Sequence, residues 1–141
     1  MNHRVLLTVL GRQTYDEADS QTIQLTTEGT MAFRDGGWDI RYEETELTGM
    51  EGVTTTFRVE AGQVTLTRSG ALRSQMVFKL GTSHESLYDM GFGALFMNIH
   101  TQHLFYDITP DGGVLDLIYT IEIEHSAAGI VEYHLVMEPL S

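Results

Sequence analysis

Hydrophobic and polar positions alternate along almost the whole chain, and a period of two predicts β-strands rather than helices. Val5, Leu7 and Val9 share one face, as do Ile23, Leu25 and Thr27. Further rows hold Trp38, Ile40, Tyr42 and Glu44; Phe57 and Val59; Val64, Leu66 and Arg68; Met76, Phe78 and Leu80; Leu95, Met97 and Ile99. Nearer the C-terminus, Leu115, Leu117, Tyr119, Ile121 and Ile123 form one row, and Val131, Tyr133, Leu135 and Met137 another. The opposite faces carry mainly Thr, Glu, Gln and Arg. Glycine-bearing turn signals interrupt the rows at 35–37, 49–52, 61–62, 69–70, 110–113 and 127–129. About nine or ten short strands joined by hairpins predict an all-β fold, and the meander-like spacing favours an antiparallel up-and-down barrel. One domain is expected over residues 1–141. The polar, acidic segment 13–20 reads as a linker between the first two strands, and Gly91-x-Gly93 as a bulge or tight strand connection.

Charge narrows the partners. Twenty acidic against eight basic residues give a net charge of −12, which repels nucleic acid and anionic membranes unless the arginines gather on one face. Neither nucleic acid nor a membrane is expected as a partner. Seven of the eight basic residues are Arg, a bias that favours bidentate pairing with carboxylates. The absence of cysteine excludes disulfides, thiolate catalysis and Cys-based zinc sites. No apolar run reaches the ~18–20 residues of a membrane span, and the start lacks a signal-peptide pattern. A cytoplasmic location is expected.

Several stretches resemble a known family. These are TEGT (27–30), YEETELTGMEGVTTTFRVEAGQVTLTRSG (42–70), MVFKLG (76–81), SLYDMGFGALFMNIHT (86–101) and GGVLDLIYTIEIE (112–124). The most specific are Tyr42-x-Glu44 leading into a Thr-Gly turn, Arg68-x-Gly70, and the Gly112-Gly113 pair that opens the penultimate strand. Together they are similar to the YwiB-like family of small bacterial proteins, over roughly residues 4–138. The resemblance implies a calycin barrel of the lipocalin and fatty-acid-binding type, in a family whose biochemical function is uncharacterised. Gly36-x-Trp38 is similar to the lipocalin Gly-x-Trp but lies on the third strand, not the first. Trp38 is expected to be buried, closing one end of the barrel.

Arg68 is the residue that asks for a function. It continues the Val64 and Leu66 row, and a buried cation must find a partner or water. Tyr42 and Glu44 occupy the end of their own inward row, while Tyr119 and Tyr133 point hydroxyls inward from later strands. The expectation is that Arg68 bonds to Glu44, to Tyr42, or to both, near a barrel mouth. Such a cluster receives a carboxylate, a phosphate or another polar group, leaving the interior for a small apolar or amphipathic ligand. The competing readings are a structural ion pair or a strand-end Arg that snorkels to water, a protein-interaction module whose barrel is filled by side chains, and, least favoured, an enzyme using Glu44 and Arg68. Met31, Met76, Met90 and Met97 read as core filling.

No catalytic residue, metal or cofactor is assigned. His100-x-x-His103 puts its rings on opposite faces of a strand unless a turn intervenes. His125 and His134 face each other across the last hairpin among acidic residues, and His84 sits in a polar turn; none of these spacings matches a zinc site. Among the clustered acids Glu44 and Glu46 share a face, and Ser83-His84-Glu85 lacks the setting of a nucleophile elbow. A small-molecule ligand is the expected partner, with oligomeric state left open.

Overall fold

The computed structural model describes residues 2–16, 19–45, 50–71, 73–89, 94–124 and 126–140. Among them ten strands follow one another: β1 (Asn2–Asp16), β2 (Asp19–Arg34), β3 (Gly37–Glu43), β4 (Val53–Glu60), β5 (Gln63–Gly70), β6 (Arg73–Phe78), β7 (Ser83–Asp89), β8 (Ala94–Thr109), β9 (Gly112–Ile123) and β10 (Ser126–Pro139). Each pairs antiparallel with its neighbour in sequence, and β1 pairs with β10 to close the ring. The alternating rows explain the closure. A sheet apolar on one face buries that face by curling on itself, and a closed sheet has no free edge.

The inward rows form the core. Met31, Ile40, Phe57, Leu66, Phe78 and Leu115 are fully buried, each burial contributing about 1.5–3 kcal/mol. Four rings span the lumen in a chain: Phe57 meets Tyr133 at 5.9 Å, Tyr133 stacks on Tyr119 at 6.4 Å, and Tyr119 meets Phe78 at 4.5 Å. Since β4 and β6 stand across the barrel from β9 and β10, these rings fill the interior from wall to wall. Outside, Arg4 meets Glu28, Arg12 meets Glu132, and Asp39 lies between Arg34 and Arg58. That apolar-inside, charged-outside arrangement is the reverse of a membrane barrel. No helix of the described residues is long and apolar enough to cross a membrane.

Several sequence expectations change. Segment 13–20 is mostly strand, because the β1–β2 ladder continues through Gln13↔Gln21 and Thr14↔Ser20. The last hairpin turns at Glu124, which adopts φ 50°, and 127–129 is instead a bulge inside β10. Leu80 leaves the inward row: β6 ends at Phe78, and Leu80 lies 56% exposed in the turn before β7. His84 belongs to β7 rather than to a turn. Trp38 is half-buried, not enclosed. Its partner across the ladder, Phe33, projects past the barrel end and packs edge-on against it at 5.2 Å. Glu46, Gly49, Met90, Gly91-x-Gly93 and His125 lie outside the described residues.

Candidate functional site

The barrel wall turns polar at one level. Register connects Tyr42 on β3 to Thr55 on β4, Thr55 to Arg68 on β5, and Arg68 to Ser74 on β6. All four are buried on the inward face. Directly opposite residues of adjacent strands share a face, so a polar belt crosses four consecutive strands. Each member occupies the inward phase of its own strand. Thr55 stands between Val53 and Phe57, and Ser74 stands two residues before Met76. Glu44, two residues beyond Tyr42, carries the belt toward the mouth formed by the β1–β2, β3–β4, β5–β6 and β9–β10 connections. Trp38 lies at the other end of the same row.

Arg68 is 7% exposed, and its guanidinium crosses the lumen to donate to the Tyr133 hydroxyl at 2.9 Å. Because β5 and β10 stand on opposite walls, the side chain is a crossbar lying over the aromatic layer. The Glu44 carboxylate is 5% exposed, and its Oε2 accepts from the Thr55 hydroxyl. The expected Arg68 hydrogen bond to Glu44 or Tyr42 is replaced by this bond to Tyr133. Thr55 engages the carboxylate, and the long Arg side chain reaches the far wall instead. Among the described residues no ion pair joins Arg68 to a carboxylate. Three buried polar atoms in this region have no hydrogen-bond partner: Glu44 Oε1, Arg68 Nε and Ser74 Oγ. Native interiors satisfy nearly all such atoms, so three at one level mark the place.

Electrostatics sets the form of each group. Burial pushes the Tyr42 phenol far above its ordinary range, and the adjacent Glu44 adds to the effect through charge and a hydrogen bond. Burial likewise raises Tyr119, with Tyr133 reinforcing it and Arg68 opposing it. Both are therefore neutral phenols. For Arg68, burial disfavours the charge, the hydrogen bond to Tyr133 favours it, and the net shift is upward, so the guanidinium stays protonated. The result is a guanidinium and a carboxyl group in one buried wall, with no ion pair between them.

Four of the five candidate residues, Tyr42, Glu44, Arg68 and Tyr133, line a cavity of about 80 Å³ at this mouth. Its apolar side comes from Val9, Ile23, Leu25 and Val131. Tyr119 lies beneath, in the aromatic layer. The space is smaller than the ~300–1,000 Å³ of sites that enclose a drug-sized ligand. It holds a few waters at ~30 Å³ each, or one small group.

The histidines lie elsewhere. A bulge between Thr101 and His103 reverses the strand phase, so His100 and His103 both face outward rather than to opposite sides. His100 Nδ1 lies 3.0 Å from Ser83 Oγ, and His134 Nδ1 contacts Asp116 on the outer wall. Among the described residues no three potential ligands gather for a metal. Glu43 faces outward and accepts from Thr54, which separates it from Glu44.

Comparison with known proteins agrees with this architecture. Residues 7–136 match the family described as a domain of unknown function, DUF1934, and the chain belongs to that family. It is 26% identical over 108 residues to the uncharacterized beta-barrel protein YwiB of Bacillus subtilis (strain 168), covering 77% of this chain and 75% of that protein. The crystal structure of the ywiB protein from Bacillus subtilis superposes with a TM-score of 0.86 at 21% identity, over 99% of this chain and 94% of that one.

Proposed function

We propose that this DUF1934 barrel binds a small molecule by its polar end, at the mouth between β1, β2, β3, β5 and β10, rather than enclosing it in the lumen. The observation that carries the reading is Arg68: buried, charged, and among the described residues bonded through its side chain to the Tyr133 hydroxyl alone, with Nε left without an acceptor. Keeping a guanidinium there without a counter-charge opposes folding, and a ligand's anionic or hydrogen-bonding group would relieve it. The cavity admits that group alone, and the apolar rim of Val9, Ile23, Leu25 and Val131 suits a short hydrocarbon part. Calycin-like use of a barrel mouth fits this arrangement, without catalysis. In this reading the protein works in the cytoplasm, supported by its lack of cysteine and its charged exterior.

Native mass spectrometry of protein purified from its own host tests the reading, together with amide chemical shifts against a panel of small carboxylates, phosphates and amines. A bound mass, or shifts confined to the mouth, should be present in the parent protein and lost in Arg68→Met. Bare protein and an unresponsive mouth would defeat it. A protein-docking role is favoured by a different observation: Phe96 and Phe105, 57% and 50% exposed, stand on the outer wall of β8.

A further inference from the structure

Resting on the mouth-pocket reading, we propose that the preferred ligand is a small zwitterion carrying a carboxylate and an ammonium a few atoms apart. Two opposite charges face the same cavity. Both residues line it, and each keeps one buried polar atom without a partner, Nε of Arg68 and Oε1 of Glu44. Each side chain is more than nine-tenths buried, and no ion pair joins them. A guanidinium and a carboxylate that share a cavity without closing on each other are held apart by other bonds. Tyr133 draws Arg68 to the far wall, while Thr55 holds Glu44 near its own.

This pairing of opposite groups selects a class of ligand. A simple carboxylate satisfies Arg68 but brings a second negative charge beside Glu44. A simple amine satisfies Glu44 but brings a second positive charge beside Arg68. Like charges at close range in a poorly hydrated site repel strongly. A zwitterion meets both charges and adds none, an advantage in a protein whose net charge of −12 repels free anions. The cavity of about 80 Å³ limits the skeleton to a few heavy atoms. Short amino acids, α or ω, have the required chemistry.

Titration of the whole protein, followed by calorimetry and by amide shifts at the mouth, separates the possibilities. The probes are glycine, β-alanine and 4-aminobutanoate, with acetate, propanoate and ethylammonium as single-charge controls. At least one zwitterion should bind about tenfold or more tightly than every control, the effect of one further charge-assisted hydrogen bond. Glu44→Gln should reduce that ligand to the affinity of the carboxylate controls, and Arg68→Met should abolish its binding. If a variant fails to fold, the ranking of the probes on the parent protein still decides. Acetate or propanoate binding as tightly as any zwitterion would overturn the zwitterion preference while leaving an anion-binding mouth intact. A response to none of the probes, with a bound mass still present in protein from its own host, would likewise overturn the preference alone. Failure of the host-derived protein to carry any ligand as well would remove both readings.

Discussion

Arg68 gives up hydration for one hydrogen bond to a phenol, so its removal and the removal of its partner have opposite consequences. Arg68→Met keeps the packed stem and deletes an uncompensated charge. It should leave stability within about 1 kcal/mol of the parent, or raise it, as replacement of buried charges by apolar groups often does. Tyr133→Phe leaves the charge in place without its acceptor and should destabilise by about 1–3 kcal/mol. Urea unfolding of both variants checks the pair, and an Arg68→Met loss of several kcal/mol would make the residue structural. The buried phenols predict a pH effect. Tyr42 and Tyr119 stay protonated in the fold, where an unfolded chain ionises near 10.0. Above that pH the unfolded state binds fewer protons, so their stabilisation is complete below about pH 10 and lost as pH rises past it. Part of the tyrosinate absorbance should therefore appear together with unfolding, and full ionisation of all six tyrosines in a folded barrel would contradict this. Alternation made the inward direction of Arg68 readable, because phase fixes the face of a side chain. Its partner was not readable: Tyr133 is 65 positions away, and contact across a lumen depends on barrel closure. Thr55 and Ser74 were missed, although the same phase places each at an inward position between or beside apolar residues.

Strands are positioned by the places where their alternation breaks. The Arg68-x-Gly70 signature has a steric cause at the end of β5. Gly70 adopts φ 112°, and a Cβ there would lie 2.3 Å from the Gly52 carbonyl oxygen, so only glycine lets β5 run this close to the start of β4 and bring Arg68 to the belt. Gly36 also has positive φ, at 80°, but nothing stands within 4 Å of the Cβ it would gain. Gly70→Ala should therefore cost about 2–4 kcal/mol, combining backbone strain with a forced shift. Gly36→Ala should cost about 1 kcal/mol, from the backbone alone. Equal losses in thermal unfolding would mean that the close approach does not matter. Bulges were the least legible elements. The extra residue near Gln102 reverses the phase of β8 and undoes any spacing argument for His100 and His103, and no turn residue announces it. The bulge at 127–129 was mistaken for a turn because glycine serves both purposes.

At the scale of the barrel, closure is uneven, and the weak seam shows which mouth is held firm. Among the described residues β1 and β2 share fourteen residue pairs, whereas β6 and β7 share two, Arg73↔Asp89 and Ser74↔Tyr88. Those two pairs lie at the polar belt, beside Arg68. From there toward the Trp38 end no further register pair joins the two strands among the described residues, although the short turn at 79–82 connects them. Strand count and hairpin order were readable from turn spacing, but the quality of each pairing was not, because it depends on how ten strands share one circumference. Local opening follows the weakest pairing. Amides of β6 and β7 that face the seam should exchange at least ~100-fold faster than those in the β1–β2 and β1–β10 ladders. The amides of Arg73 and Ser74 should stand between these extremes. Uniform protection around the barrel would refute the seam. Opening confined to the Trp38 half would leave the Arg68, Glu44 and Tyr133 geometry undisturbed, as a preorganised site requires: the ligand then meets charges already fixed in place and need not order them on arrival.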